Sequence, residues 1–245
     1  PMGGQVIVVT GASSGLGKAL ALSFASRGMT VCALARSEDK LKTMAEGHPN
    51  RIEPYPTDVS DARQVKETFK AILRDHPAID VLINNAGVTH PARFGEEDFE
   101  TIDRVIDTNL KGTMYCTYAV LPAMMARKKG RIINIASIAG IPGARIRATS
   151  SKVGFGDYGA SKYGVVGFGD ALAGDLLHHG ILLTTLCPGG IDTPLWIRNG
   201  KSTYPGDTNK LIKPEEIVDL VEFLLKQPAS TLYKTLIFFP TVEWH

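Results

Sequence analysis

Tyr158 and Lys162 stand four residues apart in a stretch long enough to be a helix. That spacing puts both side chains on one face, about 5–6 Å apart. A phenol so placed can give a proton to an oxygen atom while a hydride reaches the adjoining carbon, as carbonyl reduction requires. A free tyrosine titrates near pH 10, too high to work easily in the oxidative direction. A neighbouring ammonium favours the phenolate and lowers that value. Bringing it near 7 takes about 3 units, or roughly 4 kcal/mol. A second pattern, Thr10-Gly11-Ala12-Ser13-Ser14-Gly15-Leu16-Gly17, lies between an apolar run and a helical segment. Gly11 can make the sharp exit from a strand, Gly15 can let backbone N–H groups approach a pyrophosphate, and Gly17 can allow close packing of helix on strand. The helix N-terminus adds a positive dipole for the anion.

These groups need a scaffold, and the rest of the chain supplies the pattern for one. Short β-branched runs recur at residues 5–10, 30–35, 52–57, 81–84, 131–136, 181–187 and 234–239. Most are near-continuously apolar, as expected of strands covered on both faces. The segments between them, such as 15–28, 60–75 and 158–179, are long enough for crossover helices. Right-handed crossovers then give an α/β fold with one doubly wound, parallel, seven-stranded sheet of Rossmann type. No linker, repeat or charge block divides residues 1–245, so a single dinucleotide-binding domain is expected. Two stretches interrupt the rhythm: 141–156, rich in Gly, Ser and basic residues, and 193–213, which reads as a substrate loop.

Composition narrows the function. Hydrophobic residues make up 44% of the 245 and charged residues 21%, which supports a packed core and excludes a disordered chain. Lys and Arg number 27 against 25 Asp and Glu, too near balance for a nucleic-acid footprint. No apolar run reaches the ~20 residues of a membrane span. Cys32, Cys116 and Cys187 lie in apolar runs without CxxC spacing and read as buried reduced thiols, which points to the cytoplasm. The six histidines share no metal-ligand spacing, so no metal is expected.

The glycine turn has the spacing TGxxxGxG, and with it the chain resembles the short-chain dehydrogenase/reductase family. The likeness continues in order through Asn84-Asn85-Ala86-Gly87 after the fourth strand, Asn109 in Asp107-Thr108-Asn109-Leu110-Lys111-Gly112, Ser137 at the end of strand five, Tyr158-Gly159-Ala160-Ser161-Lys162, and Pro188-Gly189 with Thr193 beyond. The resemblance implies an oxidoreductase that moves a hydride between a nicotinamide and a carbonyl or secondary alcohol. It makes Tyr158 the proton donor, with Ser137 holding the substrate oxygen and Lys162 holding the nicotinamide ribose. Asn109 then helps keep a water relay from Lys162. Cofactor contacts are implied for Gly11, Ser13, Ser14, Gly15, Leu16, Gly17 and Val59, and for Asp58 at the adenine. Asn85, Ala86, Gly87, Pro188, Gly189, Ile191 and Thr193 complete that implied set. The family also implies a homodimer or homotetramer packed through helices at 109–129 and 158–179. The alternative is a dinucleotide-binding sensor or scaffold that has lost catalysis.

At the end of the second strand, dinucleotide sites that prefer NAD place a carboxylate on the ribose 2′-hydroxyl. Here the family's acidic position falls on Ala35. Arg36 follows, a planar fork suited to a 2′-phosphate, with the Ser37 hydroxyl beside it. The cofactor expected is therefore NADP(H), and the enzyme class a carbonyl reductase or alcohol dehydrogenase.

One departure bears on substrate. Twenty residues separate Ser137 from Tyr158, more than the family commonly has, and the surplus holds Arg145, Arg147 and Lys152. Ser150 and Ser151 lie there too and rival Ser137, although Ser137 sits at the carboxyl end of a strand, where such sheets place their sites. With Arg198 and Lys201, the cations could draw a carboxylate-bearing substrate. The C-terminal Thr235-Leu236-Ile237-Phe238-Phe239-Pro240-Thr241 resembles the 3-hydroxy acid (serine) dehydrogenase branch, which implies a small hydroxy or keto acid.

Overall fold

The computed structural model describes residues 3–89, 92–93, 96, 98–144, 153–154, 156–198, 201–202 and 210–241. Seven strands form one sheet: β1 (Val6–Thr10), β2 (Thr30–Ala35), β3 (Ile52–Pro56), β4 (Val81–Asn84), β5 (Gly130–Ile135), β6 (Ile181–Pro188) and β7 (Thr235–Phe238). Their order is β7-β6-β5-β4-β1-β2-β3, and every pairing is parallel. The chain moves outward from β1 to β3, then returns to β4 on the other side of β1. That reversal opens a crevice beyond the carboxyl ends of β1 and β4, where sheets of this kind bind ligands.

Alternate residues of the central strands feed two cores, one on each face. Ile7, Val9, Val31, Ala33 and Ile83 pack under α1 (Gly15–Ser26), α2 (Glu38–Glu46) and α7 (Pro214–Lys226). Val8, Cys32, Leu34, Leu82 and Ile132 pack under α3 (Ala62–Asp75), α5 (Gly112–Arg127) and α6 (Gly156–Leu177). Burial on both faces is why these runs are apolar at nearly every position, and each fully buried Leu, Ile or Phe contributes about 1.5–3 kcal/mol.

The expected helix at 109–129 belongs to a longer rod. α4 (Phe99–Ile106) runs into a π-helical turn at Asp107–Lys111 and then into α5. α4 starts cleanly because the Asp98 carboxylate accepts the Thr101 N–H at 2.6 Å. In the stretch expected as a loop from 193, Pro194–Trp196 forms a 3₁₀ turn and Ile197–Arg198 pairs antiparallel with Lys201–Ser202. Ala92–Arg93 pairs with Val153–Gly154, a ladder the sequence pattern did not foreshadow. Arg145, Arg147, Ser150, Ser151 and Lys152 lie outside the described residues.

Candidate active site

The glycine turn has the backbone that its sequence requires. Gly11 leaves β1 at φ +67° and Gly15 opens α1 at φ +51°, both in the left-handed region that side chains rarely adopt. A Cβ on Gly11 would lie 2.9 Å from Ala86 Cα, and one on Gly17 would run into the Gly11 carbonyl oxygen. Gly17 thus brings helix against turn and does not line the cavity beside it. Ser14 makes no side-chain cap, and the first turn of α1 carries no acidic residue. The amide groups at this helix start are left for an anion. The next turn is tied in by Thr10, whose hydroxyl accepts the Asn85 and Ala86 N–H groups at 3.0 and 2.9 Å. Thr10 is part of the site by this anchoring, a role its place in the glycine motif could have signalled.

The cavity has a volume of about 910 Å³ and runs from Arg36 and Ser37 at one end to Tyr158 and Trp196 at the other. Each residue expected on the cofactor lines it, apart from Gly17. Lys40, in the first half of α2, adds a second cation beside Arg36. Asp58 is held in place through its carboxylate, which accepts the Ser60 N–H at 3.0 Å and the Ser60 hydroxyl at 2.7 Å. An uncapped helix start, two left-handed glycines and paired cations within one elongated cavity fit a dinucleotide phosphate.

At the other end, β5 delivers Ser137, whose hydroxyl accepts the Ala139 N–H at 3.1 Å and stands near enough to the Tyr158 phenol to favour its phenolate. Gly140 closes this turn against α6, where a Cβ would come within 2.5 Å of the Lys162 carbonyl oxygen. Gly140 matches no binding motif, and only the packing shows that bare backbone is needed there. Lys162 donates to the Ile135 carbonyl at 2.9 Å, and its Nζ lies 5.7 Å from the Tyr158 ring centre. Tyr158 and Lys162 are both buried.

Burial, more than mutual attraction, sets their titration. It pushes the Tyr158 phenol up to about 12 against a smaller downward pull from Ser137. It brings the Lys162 ammonium down to about 8. The expected lowering of the phenol by Lys162 is therefore not seen in the protein alone. The ammonium is itself desolvated and points at a backbone carbonyl. At neutral pH the phenol is protonated, the state in which it can donate.

The Lys162 shift has a consequence for stability. A lysine whose folded value lies below its unfolded value of 10.5 costs stability while charged in both states. That cost is relieved as pH rises above about 8. Unfolding of the wild-type protein and Lys162→Met, measured between pH 7 and 10, is expected to show the wild type gaining on the variant as pH rises. A constant difference would contradict the assigned shift.

Asn109 sits behind the cavity wall, inside the π-helical turn. Its Oδ1 accepts the Val88 N–H at 2.8 Å, and its Nδ2 donates to the Val88 carbonyl at 2.9 Å and to Ser161 Oγ at 3.0 Å. Ser161 Oγ donates in turn to the Tyr158 carbonyl at 2.7 Å. The amide thus clamps the strand-four turn to the Tyr158 turn of α6. Trp196 packs on Leu195 and Leu211 and also meets Tyr158 edge-on, with ring centres 6.4 Å apart. It forms an apolar wall beside the phenol that no motif would have flagged.

A family model described as short chain dehydrogenase matches residues 5–203. The 3-oxoacyl-[acyl-carrier-protein] reductase FabG of Thermotoga maritima is 36% identical over 238 residues, covering 93% of this chain and 92% of that protein. Among solved structures, the closed form of a serine dehydrogenase complexed with NADP+ superposes with a TM-score of 0.87 at 28% identity, covering 98% of this chain and 97% of that one. An alcohol dehydrogenase from the archaeon Thermococcus sibiricus, complexed with 5-hydroxy-NADP, gives 0.82 at 26% identity over 97% of both chains.

Proposed function

The chain belongs to the short chain dehydrogenase family, and from that premise we propose that it is an NADP(H)-dependent oxidoreductase acting on a carbonyl or secondary alcohol. The observation that carries this reading is the convergence of Ser137, Tyr158 and Lys162 on the cavity that also holds the glycine turn and Arg36. The dinucleotide, when bound, supplies or accepts the hydride. The Tyr158 hydroxyl gives its proton to the substrate oxygen, and Ser137 hydrogen-bonds that oxygen to hold it in line. Lys162 binds the nicotinamide ribose, while Asn109 keeps the Tyr158 turn in place from behind. Arg36, with Ser37 and Lys40, would hold the 2′-phosphate, and Asp58, beside Val59 in the cavity wall, would meet the adenine. The site retains all four expected residues, so the inactive-sensor alternative has nothing to support it.

We further assign pairing of copies through the outer faces of α5 and α6, where the exposed Tyr118 meets Phe168 edge-on. We place the protein in a reducing, cytoplasmic setting suited to its three free, buried thiols. The test of the main reading is NADPH and NADH consumption across hydroxy and keto acids, acyl thioesters, sugars and steroids. Turnover of a carbonyl compound with NADPH favoured supports it; binding of NADPH with no turnover of any class contradicts it.

A narrower reading is a small hydroxy or keto acid as substrate. The likeness to a serine dehydrogenase over nearly the whole chain favours it, as does the exposed Lys201 beside the cavity loop. If a carboxylate is drawn by such charges, KM is expected to rise several-fold between low and high salt as screening sets in. Unchanged kinetics across ionic strength, or equal rates on neutral ketones, would remove the acid from consideration.

A further inference from the structure

Away from the cavity, Cys32, Glu53 and His76 present a thiol, a carboxylate and an imidazole whose ligand atoms all lie within 4.8 Å of one another. They come from three elements. Cys32 is the third residue of β2, Glu53 is its register partner on the edge strand β3, and His76 ends α3. The carboxylate is the focus: Glu53 Oε2 lies 2.8 Å from His76 Nε2 and accepts the Tyr55 hydroxyl at 3.2 Å. Their spacing along the chain matches no metal motif. The parallel register of β2 and β3, with α3 packed over them, creates the group.

We propose that Cys32, Glu53 and His76 form a binding site for a borderline divalent cation, Zn²⁺ foremost. Sulfur, imidazole nitrogen and carboxylate oxygen make up a tetrahedral zinc set, whereas Mg²⁺ and Ca²⁺ take oxygen ligands. A tetrahedral ion with bonds of about 2.0–2.3 Å separates its ligand atoms by about 3.5 Å. The 2.8 Å carboxylate–imidazole pair must open, and the widest pair must close by about 1 Å. The His76 and Glu53 side chains are 20% and 36% exposed while Cys32 is fully buried, so an ion enters past the first two and meets the thiol last. Binding converts the thiol to a thiolate and releases its proton to solvent. The imidazole binds neutral through Nε2, with its proton carried on Nδ1. Water takes the fourth position, and Tyr55 remains as a hydrogen-bond partner that orients the carboxylate.

The site is structural, not catalytic. Cys32 lies three residues before the end of β2, about 10 Å from the strand end where the cavity opens. An ion there ties the edge strand and the end of α3 to the sheet.

Cobalt is the direct probe. One equivalent of Co²⁺ added to the reduced full-length protein is expected to give a thiolate-to-cobalt charge-transfer band in the near ultraviolet and intense tetrahedral visible bands. Zn²⁺ is expected to displace both, and to raise the thermal midpoint of the wild type but not of Cys32→Ser. The bands should be lost in Cys32→Ser and the Co²⁺ affinity reduced at least tenfold in His76→Gln. His76 is partly exposed, so that second variant carries the test if Cys32→Ser folds poorly. No charge-transfer band in the wild type, or a band that persists in Cys32→Ser because Cys116 or Cys187 supplies it, overturns the proposal. Unaltered affinity in His76→Gln does the same.

Discussion

Tyr158→Phe is expected to lower kcat for NADPH-dependent carbonyl reduction by about 10²–10⁴-fold, the range for loss of a positioned general acid. The substitution removes one oxygen and keeps the ring, its burial and its edge-on contact with Trp196. Loss of the phenol's polar contact with Ser137 costs at most about 0.5–1.5 kcal/mol, too little to unfold the domain. Cofactor affinity should change little, because the phosphate cradle and Arg36 lie at the other end of the cavity. The check is initial-rate kinetics beside NADPH binding. A variant within tenfold of wild-type kcat would mean that another group gives the proton.

Arg36→Asp is expected to lower kcat/KM for NADPH by about 10²-fold and to leave the value for NADH unchanged or improved. A charge-assisted hydrogen bond to a buried or bound anion contributes about 1.5–3 kcal/mol, and the new carboxylate adds repulsion of the 2′-phosphate. The same carboxylate can accept the ribose 2′-hydroxyl of NAD(H). Lys40 lines the same end of the cavity and retains part of the attraction. A combined Arg36→Asp, Lys40→Ala variant should therefore go further than the single change. Persistent preference of Arg36→Asp for NADPH would show that the 2′-phosphate is read elsewhere.

Much of the architecture was legible because strands buried on both faces leave few polar positions. The runs at 30–35 and 81–84 match β2 and β4 to the residue. Glycine demands were legible at Gly11 and Gly15, where a left-handed backbone beside a helix start favours glycine. Gly140 was not, because its constraint is the Lys162 carbonyl of a helix far along the sequence. The Tyr158–Lys162 pairing followed from helical spacing, yet its electrostatics did not. Spacing tells that two groups are close, while the shifts follow from how deeply both are buried and from the Ile135 carbonyl that holds the ammonium. Asn109 could be picked out by resemblance, but its clamp on Val88 and Ser161 depends on the π-helical turn that aims its amide. Cys32, Glu53 and His76 show the same limit, since their proximity arises from strand register.

The reaction proposed for this protein is hydride transfer from NADPH to a carbonyl carbon with Tyr158 supplying the proton. NADPH deuterated at the reacting carbon, incubated with the enzyme and a carbonyl compound that it turns over, measures that transfer directly. The expected result is an alcohol product carrying one deuterium at the former carbonyl carbon, formed at a rate that collapses in Tyr158→Phe. Product without deuterium, or deuterium transfer as fast in Tyr158→Phe as in the wild type, would contradict the account.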